Sequence, residues 1–85
     1  MSKKDKLLAK LLSKPKDFTF NELETLLEYL GFYLDNVGKT SGSRVRFVND
    51  ELRIVIKLHK PHHQKVLLPY QIREVISKLE KGGII

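Results

Sequence analysis

The chain has no cysteine, which removes both a disulfide framework and a thiolate-held metal from consideration and suits a reducing compartment. No apolar run exceeds four residues, far short of the roughly 20 that a membrane-spanning helix needs. The lysine-rich start is not followed by the apolar core of a secretory signal, so a cytoplasmic location and no membrane partner are the expectation. No glycine-rich nucleotide loop is present, and no spacing argues for a Ser-His-Asp arrangement. Internal repeats and low-complexity linkers are missing too. At 85 residues the chain is long enough for one domain with a modest core, which a partner or a second copy would extend.

Charge of one sign is also missing, segment by segment. Residues 1–16 hold six lysines and one acid, while residues 17–37 hold five acids and no lysine or arginine. Residues 38–73 return to eight lysines and arginines against Asp50 and Glu51. The net charge of +6 is therefore segregated, which predicts basic and acidic faces and favours a polyanion on one side.

What is there falls into six elements. "KKDKLLAKLLSK" carries Leu7, Leu8, Leu11 and Leu12 on one helical stripe and stops before Pro15, so it reads as a basic amphipathic helix. Its apolar side suits docking on the core or on a partner. In "FTFNELETLLEYLGF", Thr19 and Glu22 have capping-box spacing, and Phe18 and Leu23 sit where a hydrophobic staple pairs them. Leu23, Leu26, Leu27 and Leu30 then repeat at i, i+3, i+4 and i+7, and Gly31 is a natural stop.

Three strand-like runs follow: Phe32–Val37, Arg44–Val48 after a small-residue turn, and Leu52–Leu58 after Asn49-Asp50. Alternation assigns Val45, Phe47, Leu52, Ile54, Ile56 and Leu58 to a buried face. Arg44, Arg46, Arg53, Lys57 and His59 go to the other. "HKPHHQKVL" is a histidine- and lysine-rich loop, and Pro69 opens a last helix whose stripe is Ile72, Val75, Ile76 and Leu79, ending at Gly82-Gly83. The expected fold is α+β, a three-stranded antiparallel sheet with helices packed on one face.

His59, His62 and His63 lie within five residues. Their spacing invites a zinc reading, but the rest of the chain offers no convincing further ligands, and no metal is expected. Imidazole titrates near neutral pH, which also suits acid–base work on a phosphate. Cleaving RNA without a metal takes a group that removes the 2′-hydroxyl proton, one that protonates the leaving oxygen, and cations for the phosphorane. A histidine loop beside Arg44 and Arg46 offers such a set, although plain RNA binding calls for the same cations. Ser43 can donate to a phosphate through its hydroxyl or amide. Tyr70, at the start of the last helix, stands where the helix dipole favours an anion, or else plugs the helix–sheet seam.

The helix ending in "LGF", the strand, the "GSRVRF" turn and strand (Gly42–Phe47) and the "HKPHHQKVLLPYQI" segment (His59–Ile72) before a closing helix together resemble the HicA toxins of type II toxin–antitoxin systems. The resemblance covers roughly residues 20–82. It divides the chain into a Lys-rich N-terminal helix, 1–16, and a HicA-like RNA-binding and ribonuclease domain, 17–85.

It implies an α-β-β-β-α fold like that of double-stranded-RNA-binding domains, carrying one extra N-terminal helix. It also implies ribosome-independent cleavage of mRNA with no metal or cofactor, and a HicB antitoxin that covers the active face. His62 falls where the family places a histidine after proline. The family's usual Gly-Ser-His, with its catalytic histidine, reads Gly42-Ser43-Arg44 here. A guanidinium stays charged at neutral pH and cannot serve as a base.

The expected catalytic group is therefore Arg44, His59 and His62. Ser43, Arg46, Lys57, Lys60, His63, Lys65 and Tyr70 are expected to contact RNA. A non-catalytic RNA-binding module of the same fold and a protein–protein adaptor are the alternatives. The partners in view are mRNA and a HicB-like antitoxin, in a homodimer or a toxin–antitoxin hetero-oligomer.

Overall fold

The computed structural model describes residues 2–35, 44–60 and 65–85. The elements run α1 (Lys3–Leu12), α2 (Phe20–Tyr29), β1 (Tyr33–Asp35), β2 (Arg44–Asn49), β3 (Ile54–His59) and α3 (Pro69–Lys81). This is the expected α+β arrangement. The end of the first predicted strand (36–37), Ser43, His62 and His63 lie outside the described residues.

Local chemistry starts and stops the helices. Ser2 caps α1 by accepting from the Asp5 amide at 3.2 Å. The apolar stripe of α1 is narrower than its leucine count implies: Leu7 and Leu11 are buried, Leu8 is partly covered, and Leu12 is exposed. At the start of α2 the capping box forms in full, because Thr19 Oγ1 accepts from the Glu22 amide at 3.1 Å and Glu22 Oε1 accepts from the Thr19 amide at 3.0 Å. Phe18 and Leu23, the staple positions, are both fully buried.

Gly31 ends α2 at φ 92°, a left-handed turn that a side chain resists. A Cβ there would also crowd Asn49 Nδ2 at 3.2 Å. That buried asparagine donates to the Leu30 carbonyl and accepts from the Leu52 amide. One side chain thus ties the end of α2 to the turn that leaves β2.

The sheet has the order β1-β2-β3, antiparallel throughout. Phe47 faces Leu34 on one side and Ile56 on the other, and Val45 faces Leu58. Val45, Phe47, Ile56 and Leu58 are all buried. The third strand begins two residues later than its alternation implies. Leu52 is exposed and Arg53 sits in the turn at φ 56°, so neither belongs to the faces assigned to them. Asn49 causes this, since its bond to the Leu52 amide folds residues 50–53 into a turn before pairing resumes at Ile54.

α2 packs on β1 and α3 on β3, while α1 lies against both α2 and α3. One core collects Leu7 and Leu11 of α1, the stripe of α2, the inner sheet face and Ile72, Val75, Ile76 and Leu79 of α3. Phe20 and Phe47 meet at 5.9 Å with rings tilted 41°, within the range of favourable aromatic pairs. At the far end of α3, a side chain on Gly82 would run into Ile54, which is how closely the helix end approaches β3.

An ion pair completes the docking of α1: Lys10 Nζ reaches Glu22 Oε2 at 2.9 Å. Burial pushes the Glu22 carboxyl up, but the Thr19 amide and Lys10 outweigh it and hold the group below its ordinary value. A lowered carboxylate pKa adds stability that is present above the unfolded value and lost as pH falls through the folded one. Glu22→Gln should therefore cost roughly 0.5–1 kcal/mol near neutral pH, given the pair's partial exposure. The gap to wild type should close as pH drops below about 4, beneath the ordinary glutamate pKa. Urea unfolding at a series of pH values measures it.

Candidate nucleic-acid interface

Among the described residues, the helices cover one face of the sheet and no element covers the other. Alternation on that open face places side chains in three rows. Arg44 of β2 stands directly opposite His59 of β3. Asp35, Arg46 and Lys57 form the next row, and Tyr33, Val48 and Val55 the third. Directly opposed side chains have Cβ atoms about 5 Å apart, and successive rows on one face lie about 7 Å apart.

Arg44, Lys57 and His59 are all exposed, and with Leu58 they line a shallow hollow of about 350 Å³. Two cations and an imidazole around one hollow can hold a phosphate and carry a proton to or from it. Arg46 is different, because it is half-buried and ion-paired with Asp35 across β1 and β2. The acid takes up part of its charge, so Arg46 supports the row more than it offers a free cation.

Lys60 and Lys65 belong to a second place. With Thr19, Phe20 and Asn21 they line a hollow of about 300 Å³ at the start of α2. Lys60 Nζ sits 5.5 Å from the centre of the Phe20 ring, in cation–π range. Backbone bonds hold this corner: the Phe20 amide donates to the Lys65 carbonyl and the Leu67 amide to the Phe18 carbonyl, at 2.9 and 2.8 Å. Tyr70 stands at the second residue of α3 with 45% of its surface exposed. The structure thus gathers Arg44, Lys57 and His59 and separates them from Lys60 and Lys65.

Sequence reasoning missed Gln71. Its side chain is buried, donates to the His59 carbonyl at 2.9 Å and accepts from the Leu68 amide at 2.9 Å. The end of β3 is thereby tied to the start of α3, so both exits of the histidine loop are held by one residue. A polar residue inside an apolar helical stripe was the available signal, since buried polar groups are normally hydrogen-bonded. Tyr33 was also passed over. Its hydroxyl donates to Asp50 Oδ2 at 3.2 Å. Desolvation first, then Asp50, pushes its phenol above the ordinary value.

Among the described residues no group of three histidine, cysteine, aspartate or glutamate side chains is placed to hold a metal, and no helix is long and apolar enough to cross a membrane.

A family model described as the HicA toxin of bacterial toxin–antitoxin matches residues 20–84. The chain belongs to the HicA toxin family. Comparison with curated proteins and with solved structures found no match. The family segment begins at the first residue of α2 and takes in the whole sheet and α3, so α1 lies outside it.

Removing the Gln71 side-chain amide leaves the His59 carbonyl and the Leu68 N–H, both in part-buried bonds, without that partner. Gln71→Ala should therefore destabilise the domain by about 1–3 kcal/mol, read as a lower urea midpoint at unchanged m-value.

Proposed function

We propose that this chain is the toxin of a toxin–antitoxin pair, and that it acts as a metal-independent endoribonuclease on mRNA in the cytoplasm. The observation that carries this reading is the placement of Arg44 opposite His59 on the open sheet face in a chain of the HicA toxin family. HicA toxins pair with HicB antitoxins, and an antitoxin of that kind is the partner proposed here, covering the same open face.

The chemistry needs little apparatus. The ribose 2′-oxygen loses its proton and attacks the adjacent phosphorus. A pentacoordinate phosphorane forms, and the 5′-oxygen leaves as it gains a proton. The products are a 2′,3′-cyclic phosphate and a free 5′-hydroxyl. Arg44 and Lys57 supply fixed positive charge where the phosphorane oxygens develop negative charge, which is the larger part of such catalysis. His59, which lines the same hollow, moves a proton in this reading. His62, outside the described residues, is the second proton carrier in this reading.

Arg44 itself favours a second reading, in which the chain binds RNA without cutting it. Its guanidinium cannot take the proton that a histidine in that position would take. Incubation of the purified chain with single-stranded RNA in EDTA decides between the two. Cleavage with cyclic-phosphate ends supports the ribonuclease. RNA that is bound but stays intact supports the binding module, and no binding even at low salt leaves a protein–protein adaptor.

In the ribonuclease case His59→Ala should lower the cleavage rate by about 10²–10⁴-fold, the usual contribution of a proton-transferring group. Arg44→Ala should relieve the growth arrest caused by induced expression. Arg44→Lys, which keeps the charge and loses the fork, should cleave at an intermediate rate.

A further inference from the structure

The open sheet face has a polarity gradient that the phosphate chemistry does not use. Its first row, Arg44 and His59, and the Lys57 beside it are cationic or titratable. Its third row is not: Tyr33, Val48 and Val55 form a strip without charge. Tyr33 keeps 48% of its surface exposed, while Val48 and Val55 are half-covered.

The Tyr33 ring is held rather than loose. Its Cα faces Val48, yet its hydroxyl is bonded to Asp50, two residues farther along the chain. The ring therefore runs from β1 toward the β2–β3 turn, at the end of the sheet away from the Arg44–His59 row. Asp50 makes that end unsuited to a phosphate. A flat uncharged group suits it, because stacking is indifferent to the nearby acid.

A nucleotide has the same division, with an anionic phosphate at one end and a flat base at the other. Resting on the RNA reading above, we propose that Tyr33 is a base-stacking platform on the open sheet face. A nucleobase of single-stranded RNA lies against its ring, with Val48 and Val55 as the apolar floor, while the backbone phosphate sits in the Arg44–Lys57–His59 hollow. The two ends of this site are two rows apart, about 13 Å along the strands, so the phosphate is that of a nucleotide next to the one whose base stacks. That span orients the strand: the base-stacking end lies at the turn and the phosphate end at the start of β2. Single-stranded RNA is normally held by this combination of aromatic stacking and cationic grip.

The test uses a short 2′-O-methyl RNA oligonucleotide, which lacks the attacking hydroxyl and stays intact. Its binding is followed by fluorescence anisotropy across a salt series, with circular dichroism confirming the fold of each variant. Tyr33→Ala should raise Kd by on the order of tenfold or more, the usual effect of removing a stacked aromatic. Tyr33→Leu, which keeps apolar bulk in the strand, should weaken binding as Tyr33→Ala does, whereas Tyr33→Phe should bind like wild type.

The salt dependence separates stacking from charge. Tyr33→Ala should leave the slope of log K against log salt unchanged, while Arg44→Ala should reduce it by about one phosphate contact. Wild type that binds, with folded Tyr33→Ala and Tyr33→Leu binding equally well, overturns the stacking platform and leaves the RNA reading standing. Wild type that does not bind the oligonucleotide overturns both.

Discussion

Phe47 pairs with Ile56 across β2 and β3, and both side chains are shut away from water. Truncating a phenylalanine so placed costs about 3–5 kcal/mol, much of what holds a domain this small together. Because side chains alternate along a strand, fixing Phe47 inward also fixes its neighbours outward. A one-residue slip would send Arg44 and Arg46 into the core and Phe47 into solvent. The basic face is therefore a by-product of the hydrophobic register. No ion pair has to hold Arg44 beside His59, since the backbone ladder already puts them opposite each other.

Most of the architecture was legible because it rests on local rules. The Thr19–Glu22 box, the leucine stripe of α2, the stop at Gly31, the alternation of Arg44–Phe47 and the proline that opens α3 each declare themselves within a few residues. Alternation alone does not tell where a turn ends. Leu52 and Arg53 fit the strand pattern, yet the Asn49 side chain holds them in the turn. The same gap hid the site's wiring. Gln71 finds its partner in His59, 12 residues away, and Asp35 finds Arg46, 11 away. Such contacts exist only once the strands and helices are assembled. Composition counted the cations of residues 38–73 as one patch, whereas the fold divides Arg44 and Lys57 from Lys60 and Lys65.

Arg44 brings permanent charge to the hollow rather than proton mobility. An ordinary imidazole is mostly neutral near physiological pH and gains its charge only as pH falls through about 6.5. A guanidinium presents two parallel donors to a phosphate at any pH the cell reaches. The affinity of that hollow for an anion is therefore insulated from pH on the Arg44 side.

α1 stands outside the segment that matches the family, yet Leu7 and Leu11 sit in the same core as α2 and α3. Only seven residues separate its end from the start of α2. So short a tether raises the local concentration of the helix at its docking groove into the millimolar range. Two leucines and one lysine–glutamate pair would hold a free peptide weakly, but on this chain they compete with dissociation into a very small volume. A rival helix arriving from solution would have to outbid that confinement as well as the contacts themselves.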